Sequence, residues 1–506
     1  MVATAVAIVG AVAFAAVRPN VGDLQAALAR ESAARHGVGL TYWYGWFGGG
    51  STPGNYSVIV PTLTAWFGTV LLGVLATVAI TPLAWLALAR LPYRVAGTWV
   101  ATIVAGFNLW SGRIPFALGC AVGIVALMAA RERWNGLTVG ATIVSSLCSP
   151  VTGLFVAVGL FATFLVRPEN RRTMLVGCGA CLSTLLLVAL VFTTPGPQPY
   201  TYASAALTAG SALAMLYAKP NQVVRATIWC TALAAPVIAT IPNGLGSNLV
   251  RLPWICLPAV AVATANALPK WRILVAVLPA LALCANATVA DIGRADVPSA
   301  SPSYYQGLIG QLKPLPNLAN SRLEVVGNPR VHTAAFVLLG HAALAGGYET
   351  QEQNELNAIL SNRAGLDDVS YKVWLDNNAV GYVALDRAPA ANYAEYDLVS
   401  SGRVPYLTKV SQSKEWVLYR VGDATPIVPR PQRLLQVSQS EMRIQVPCAC
   451  SFYVRIRYSK FLRATAHATD SSATATLADD GNGWTIVTAP RAGVYVLDGD
   501  LTRSLK

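Results

Sequence analysis

Asp23 is the only aspartate in the first 290 residues, and it follows an apolar stretch that ends at Val17. A carboxylate at a membrane boundary can act as a general base, taking the proton of an acceptor hydroxyl as that oxygen attacks a sugar carried on a lipid phosphate. The group left behind is an anionic phosphate, so the same site needs positive charge. Arg113 and Arg251 sit beside the ends of apolar stretches and fit that need. Each residue also has a plainer role: Val21-Gly22-Asp23-Leu24 suits a helix N-cap, and arginines at span ends snorkel toward headgroups. Tyr42, Trp43, Tyr44, Trp46 and Phe47 form an aromatic cluster. It suits an interfacial belt as well as a platform for a sugar ring.

The elements that position these residues follow from hydropathy. Hydrophobic residues fill 54% of the 506 positions and charged residues 12%, against roughly 25% charged in soluble domains, which excludes a wholly soluble chain. Stretches 69–89, 173–193, 223–241, 248–268 and 271–290 are long enough to cross a bilayer. Segments 95–110, 116–130, 136–147, 150–166 and 201–218 are shorter or interrupted, a pattern associated with internal cavities. Met1–Val17 lacks a basic leading region and reads as the first span rather than a signal peptide. The reading is about eleven transmembrane helices with the N-terminus inside. Arg90/Arg94, Arg131/Arg133, Arg167/Arg171/Arg172, Lys219/Arg225 and Lys270/Arg272 then fall on the cytoplasmic side, whereas Arg18, Arg30, Arg35 and the single Arg113 and Arg251 run against the rule. Loops 18–57, 111–115, 194–200 and 242–247 fall outside, with residues 23–31 as an amphipathic interfacial helix.

Only four of the 24 acids precede residue 291, against 16 of the 37 Lys and Arg, so the chain changes character there. Residues 1–290 read as a transmembrane domain, 291–422 as an extracytoplasmic α/β region and 423–506 as a β-rich, β-sandwich-like region. Strands are expected at 323–326, 381–385, 416–421, 452–458, 484–487 and 493–497, and helices at 304–312, 334–345, 351–360 and 369–377. Asp367, Asp368 and Asp376 are expected to begin or decorate a helix. His332 and His341, near Tyr348 and Glu349, read as structural rather than catalytic. Seven cysteines lie in apolar segments as small hydrophobes, while Cys448 and Cys450 are spaced so that a disulfide between them is feasible. There is no Gly-rich phosphate loop, HExxH or GxSxG, no metal site or cofactor is expected, and no basic-aromatic run suits nucleic acid.

Several short motifs together resemble the polytopic GT-C glycosyltransferases, above all the actinobacterial cell-envelope members of the arabinofuranosyltransferase-like group. They are Gly22-Asp23-Leu24 with Tyr42-Trp43 and Pro53-Gly54-Asn55-Tyr56-Ser57; Gly112-Arg113-Ile114-Pro115-Phe116; Ser149-Pro150 with Gly153-Leu154-Phe155; and Gly246-Ser247-Asn248-Leu249-Val250-Arg251-Leu252. Gly347–Gln351 and Trp374–Leu385 are similar in the second half. The resemblance implies a polyprenyl-phosphate sugar donor, used at the outer face of the plasma membrane and transferred with inversion to an envelope glycan. It implies Asp23 as base, Arg113 and Arg251 on the donor phosphate, and Tyr42, Trp43, Tyr56 and Asn248 against substrate. Family members often pair acids in outer loops, some to hold a metal. The only other outer-loop acid expected here is Glu31, which implies a metal-independent mechanism or loss of activity. A transporter or flippase of a lipid-linked glycan, and a non-catalytic envelope-assembly protein, are the competing readings.

Overall fold

The computed structural model describes residues 1–192, 196–267, 269–327, 334–388, 394–466, 474–499 and 501. The chain divides into two compact units. Residues 1–27 and 55–295 form a helical unit, and residues 28–54 and 296–506 form a second unit.

The helical unit contains α1 (Val2–Val17), the first turns of α2 (Gly22–Arg35), α3 (Val60–Phe67), α4 (Thr69–Ala87), α5 (Arg94–Trp110), α6 (Ile114–Arg131), α7 (Asn135–Cys148), α8 (Pro150–Val166), α9 (Arg171–Val191), α10 (Tyr202–Ala214), α11 (Gln222–Thr240), α12 (Leu257–Ala263) and α13 (Trp271–Ala295). Pro115 and Pro150 open α6 and α8, where an absent N–H leaves no helical bond unmade. Small residues let these helices pack closely: a Cβ on Gly119 would lie 2.1 Å from Thr152 Oγ1. Hydroxyls among apolar neighbours bond backward to carbonyls of their own helix, as Thr102 does to Thr98 O at 2.9 Å and Ser146 to Thr142 O at 2.9 Å.

Helix α9 buries Gly177 and Cys181 and turns Leu182, Leu186 and Leu187 outward. Apolar exposure on that scale fits contact with lipid. Among the described residues, six helical stretches are long and apolar enough to cross a membrane: Thr69–Ala87, Ile114–Arg131, Pro168–Val191, Gln222–Thr240, Gly246–Ala263 and Trp271–Ala295. Asn135–Cys148, Pro150–Val166 and Tyr202–Ala218 are apolar but shorter. The chain is a multi-pass membrane protein, with six or more apolar helices among the described residues.

The second unit contains two sheets. The first has the order β2-β1-β3-β5-β4, from β1 (Arg322–Val326), β2 (Ala343–Leu344), β3 (Val380–Asp386), β4 (Leu407–Gln412) and β5 (Trp416–Val421). The β1 pairs are parallel and the β5 pairs antiparallel. Helices α14 (Gln306–Leu312), α15 (Ala334–Val337), α16 (Thr350–Leu356), α17 (Asp368–Asn377) and α18 (Ala394–Ser400) accompany it. Asp367 caps α17 in a reciprocal box: Ser370 N donates to its carboxylate at 2.7 Å, and Asp367 N donates to Ser370 Oγ at 2.9 Å. The helix expected over 334–345 stops at Val337, and the chain then forms β2. His332 lies outside the described residues.

The second sheet is antiparallel, with the order β6-β7-β12-β9-β10-β11-β8, from β6 (Arg433–Val437), β7 (Glu441–Val446), β8 (Cys450–Arg457), β9 (Leu462–Ala466), β10 (Thr474–Asp479), β11 (Trp484–Ala489) and β12 (Gly493–Gly499). Alternate residues such as Ile444, Val454, Val487 and Leu497 fill one core. Cys448 and Cys450 are joined by a disulfide at the start of β8.

Residues 28–54, expected as part of an outer loop of the membrane domain, belong instead to this second unit. Within it, Tyr44-Gly45 forms a turn and Phe47–Gly49 a single 3-10 turn. Tyr42 and Tyr44 enter the core of the seven-stranded sheet, while Trp43, Trp46 and Phe47 enter the core of the five-stranded sheet.

Candidate functional site

Helix α5 ends at Trp110, and Ser111-Gly112-Arg113 turns the chain into α6. Asn108 fixes the turn from both sides. Its side-chain amide donates to Arg113 O at 3.2 Å, and Arg113 N donates to Asn108 O at 3.3 Å. Gly112 has φ 77°, and a Cβ there would lie 2.4 Å from Leu24 N. Only glycine combines that backbone with that approach. The first turn of α2 is thereby held against the α5–α6 turn, which brings Asp23 to Arg113.

Arg113 Nε donates to Asp23 Oδ2 at 3.2 Å, and its Nη2 donates to Asp291 Oδ2 at 2.9 Å. Asp291 also pairs with Arg294, one turn further along α13. The side chains of Arg113, Asp23 and Asp291 are 17%, 25% and 18% exposed, so the cluster is largely desolvated and still reachable. Below it, Ser111 Oγ and Thr288 Oγ1 share a hydrogen bond of 3.2 Å between α5 and α13. Sequence reasoning missed Asp291, because the apolar stretch ends at residue 290 and the next residue reads as the start of a soluble domain. The α13 helix runs on to Ala295, and Thr288, Asp291 and Arg294 at a spacing of three residues are the signal that would have found it.

Arg251 precedes a π-helical stretch, Leu252–Cys256, and its guanidinium lies 5.3 Å from the ring of Phe116, three residues beyond Arg113 in α6. Both arginines are therefore placed at the start of α6, whose helix dipole adds positive potential. Tyr56 and Asn248 are half-buried residues of the same unit. Tyr42 and Trp43 are buried in the second unit, with their polar atoms satisfied: Tyr42 Oη donates to Arg457 O at 2.8 Å, and Trp43 Nε1 donates to Gln439 Oε1 at 3.1 Å. The expected roles of interfacial belt or sugar platform give way there to core packing. Among the described residues, no three side chains of His, Cys, Asp or Glu come together as a metal ligand set.

A cavity of about 690 Å³ runs alongside α6, with Ile80, Val104, Phe116, Phe155, Leu160 and Val224 among its walls. Phe116 packs edge-on against Phe155, ring centroids 6.1 Å apart, at the end nearer Arg113. The chemistry on offer is an anion-accepting end of α6 with two carboxylates at hand, beside an apolar cavity.

No protein-family model matches the chain, and no curated protein does. Solved structures similar to it include the arabinofuranosyltransferase AftD from Mycobacteria, with 13% identity, TM-score 0.46, and coverage of 99% of this chain and 57% of that one. The chain thus spans little more than half the length of that protein. Another is ArnT from Cupriavidus metallidurans bound to undecaprenyl phosphate, with 14% identity, TM-score 0.47, and coverage of 83% of this chain and 97% of that one.

Proposed function

We propose that this protein transfers a sugar, with inversion, from a polyprenyl-phosphate donor to an envelope glycan at the outer face of the plasma membrane. The observation that carries the proposal is the double engagement of Arg113 by Asp23 and Asp291 at the start of α6. An incoming phosphate competes with both carboxylates for the Arg113 guanidinium, with Arg251 as a second cation. Its binding would release the Asp23 carboxylate to accept the proton of the acceptor hydroxyl as that oxygen displaces the phosphate from the anomeric carbon. Tyr56 and Asn248 are proposed to line the substrate path. In this scheme the shorter apolar helices also span, giving eleven crossings, and the second unit is extracytoplasmic.

Purified protein incubated with polyprenyl-phosphate sugars and a short glycan acceptor is expected to form product, and Asp23→Asn to abolish it while donor binding persists. Equal transfer by wild type and Asp23→Asn would remove Asp23 from the chemistry. Labelled lipid-linked glycan that crosses vesicles without transfer would establish a transporter in place of an enzyme.

A further inference from the structure

The cavity beside α6 has unlike ends. At one end Phe116, Thr152, Phe155 and Leu252 are all buried. At the other, the wall is formed by Arg131, Arg133, Arg167, Glu169 and Asn221, all exposed, so the mouth is there. Between the ends the walls are predominantly apolar, with Thr163 and Thr227 as scattered hydroxyls, which favours hydrocarbon as the inserted group. From Phe116 to Arg131 the cavity follows α6 for roughly 22 Å at its ordinary rise, more than the roughly 15 Å of one leaflet's hydrocarbon. A single acyl chain therefore fits without disturbing the aromatic seal.

The mouth carries three guanidiniums, with the carboxylates of Glu132 and Glu169 beside them. Arg131 donates to Ala87 O at 2.7 Å and to Glu132 at 3.1 Å; Arg133 donates to Asn170 Oδ1 at 2.8 Å; and Arg167 lies 3.6 Å from Glu169. Each guanidinium has five N–H groups, more than these contacts use. Arg133 is moreover held at φ 63°, a backbone region disfavoured for a side chain of its size. A positive rim over an apolar shaft is complementary to one phosphate on a hydrocarbon chain. The arginines at the start of α6 stand at the opposite end of the same helix, so a lipid whose phosphate lies at this mouth is a molecule other than one bound at Arg113.

We propose that this cavity binds an anionic glycerophospholipid, one acyl chain in the shaft and the phosphate among Arg131, Arg133 and Arg167. The test is native mass spectrometry of the full chain, titrated with phosphatidylglycerol, phosphatidylcholine or a polyprenyl phosphate. Two variants accompany it: Arg131→Gln with Arg133→Gln, which discharges the rim, and Gly159→Phe, which fills the shaft beside Leu127. Thermal melts check that both fold. The expected result is one phosphatidylglycerol per chain, weakened roughly tenfold or more by the rim variant, since charge-assisted bonds are the strong ones. Gly159→Phe should abolish it, and phosphatidylcholine should bind at least roughly tenfold more weakly than phosphatidylglycerol. Equal binding of both phospholipids, or binding indifferent to the rim charges, would overturn the proposal. So would displacement of phosphatidylglycerol by polyprenyl phosphate with loss of affinity in the rim variant, because the site would then belong to a polyprenyl lipid.

Discussion

In the proposed function, a donor phosphate at Arg113 competes with Asp23 and Asp291 for its guanidinium. Its planar fork reaches Asp23 and Asp291 through different nitrogens, a geometry that a lysine ammonium does not reproduce. Arg113→Lys should therefore retain the charge and still lose transfer by about a hundredfold, read as kcat/KM for the donor. A second residue-scale prediction concerns Glu395 and Glu324, a buried carboxyl pair in the second unit, where Tyr371 donates to Glu395 at 2.9 Å. Burial raises both, Glu395 to about 7. The fold thus favours protonated carboxyls. Their contribution to stability is complete below the unfolded value of about 4.3 and is lost as pH rises through about 7. The thermal midpoint of the second unit should fall between pH 5 and pH 8, and Glu395→Gln, which still accepts from Tyr371, should flatten that slope.

The α5–α6 turn and the first turn of α2 place Asp23, and a single glycine sets their spacing. Gly112→Ala adds a methyl group at a positive φ and 2.4 Å from Leu24 N, so the first turn of α2 must move away. A shift of about 1 Å suffices to cost about a hundredfold in activity. We expect transfer to fall by that order while the protein still folds, seen as an unchanged far-ultraviolet spectrum. Long elements were legible in the sequence: β5 at Trp416–Val421 falls where alternation predicts it, and α17 begins at the cap that Asp367 announces. Strands β4 and β6 were not legible, because they are largely exposed and carry polar residues on both faces, which erases the period-two signal. Asp23, Arg113 and Arg251 were legible as isolated charges in apolar sequence. Asp291 was hidden because helix α13 outruns its own hydropathy.

At the scale of the whole molecule, the second unit depends on an early segment of chain. Trp43, Trp46 and Phe47 are 1% exposed or less, and with Ala29, Ala33 and Val38 they join a core otherwise built from residues beyond 296. Large aromatic truncations in cores typically cost about 3–5 kcal/mol each, so a fragment of residues 296–506 alone should be unfolded or molten, exposing apolar surface to a dye. Adding a peptide of residues 28–54 should restore cooperative melting. Hydropathy could not reveal this exchange, since an aromatic cluster has the same composition in a lipid interface as in a protein core. The shared core also imposes an arithmetic rule on membrane insertion. Residues 28–54 and 296–506 must end in the same compartment, so the chain between them crosses the bilayer an even number of times. All six long apolar stretches lie in that interval, and any shorter helices that also cross must do so in pairs.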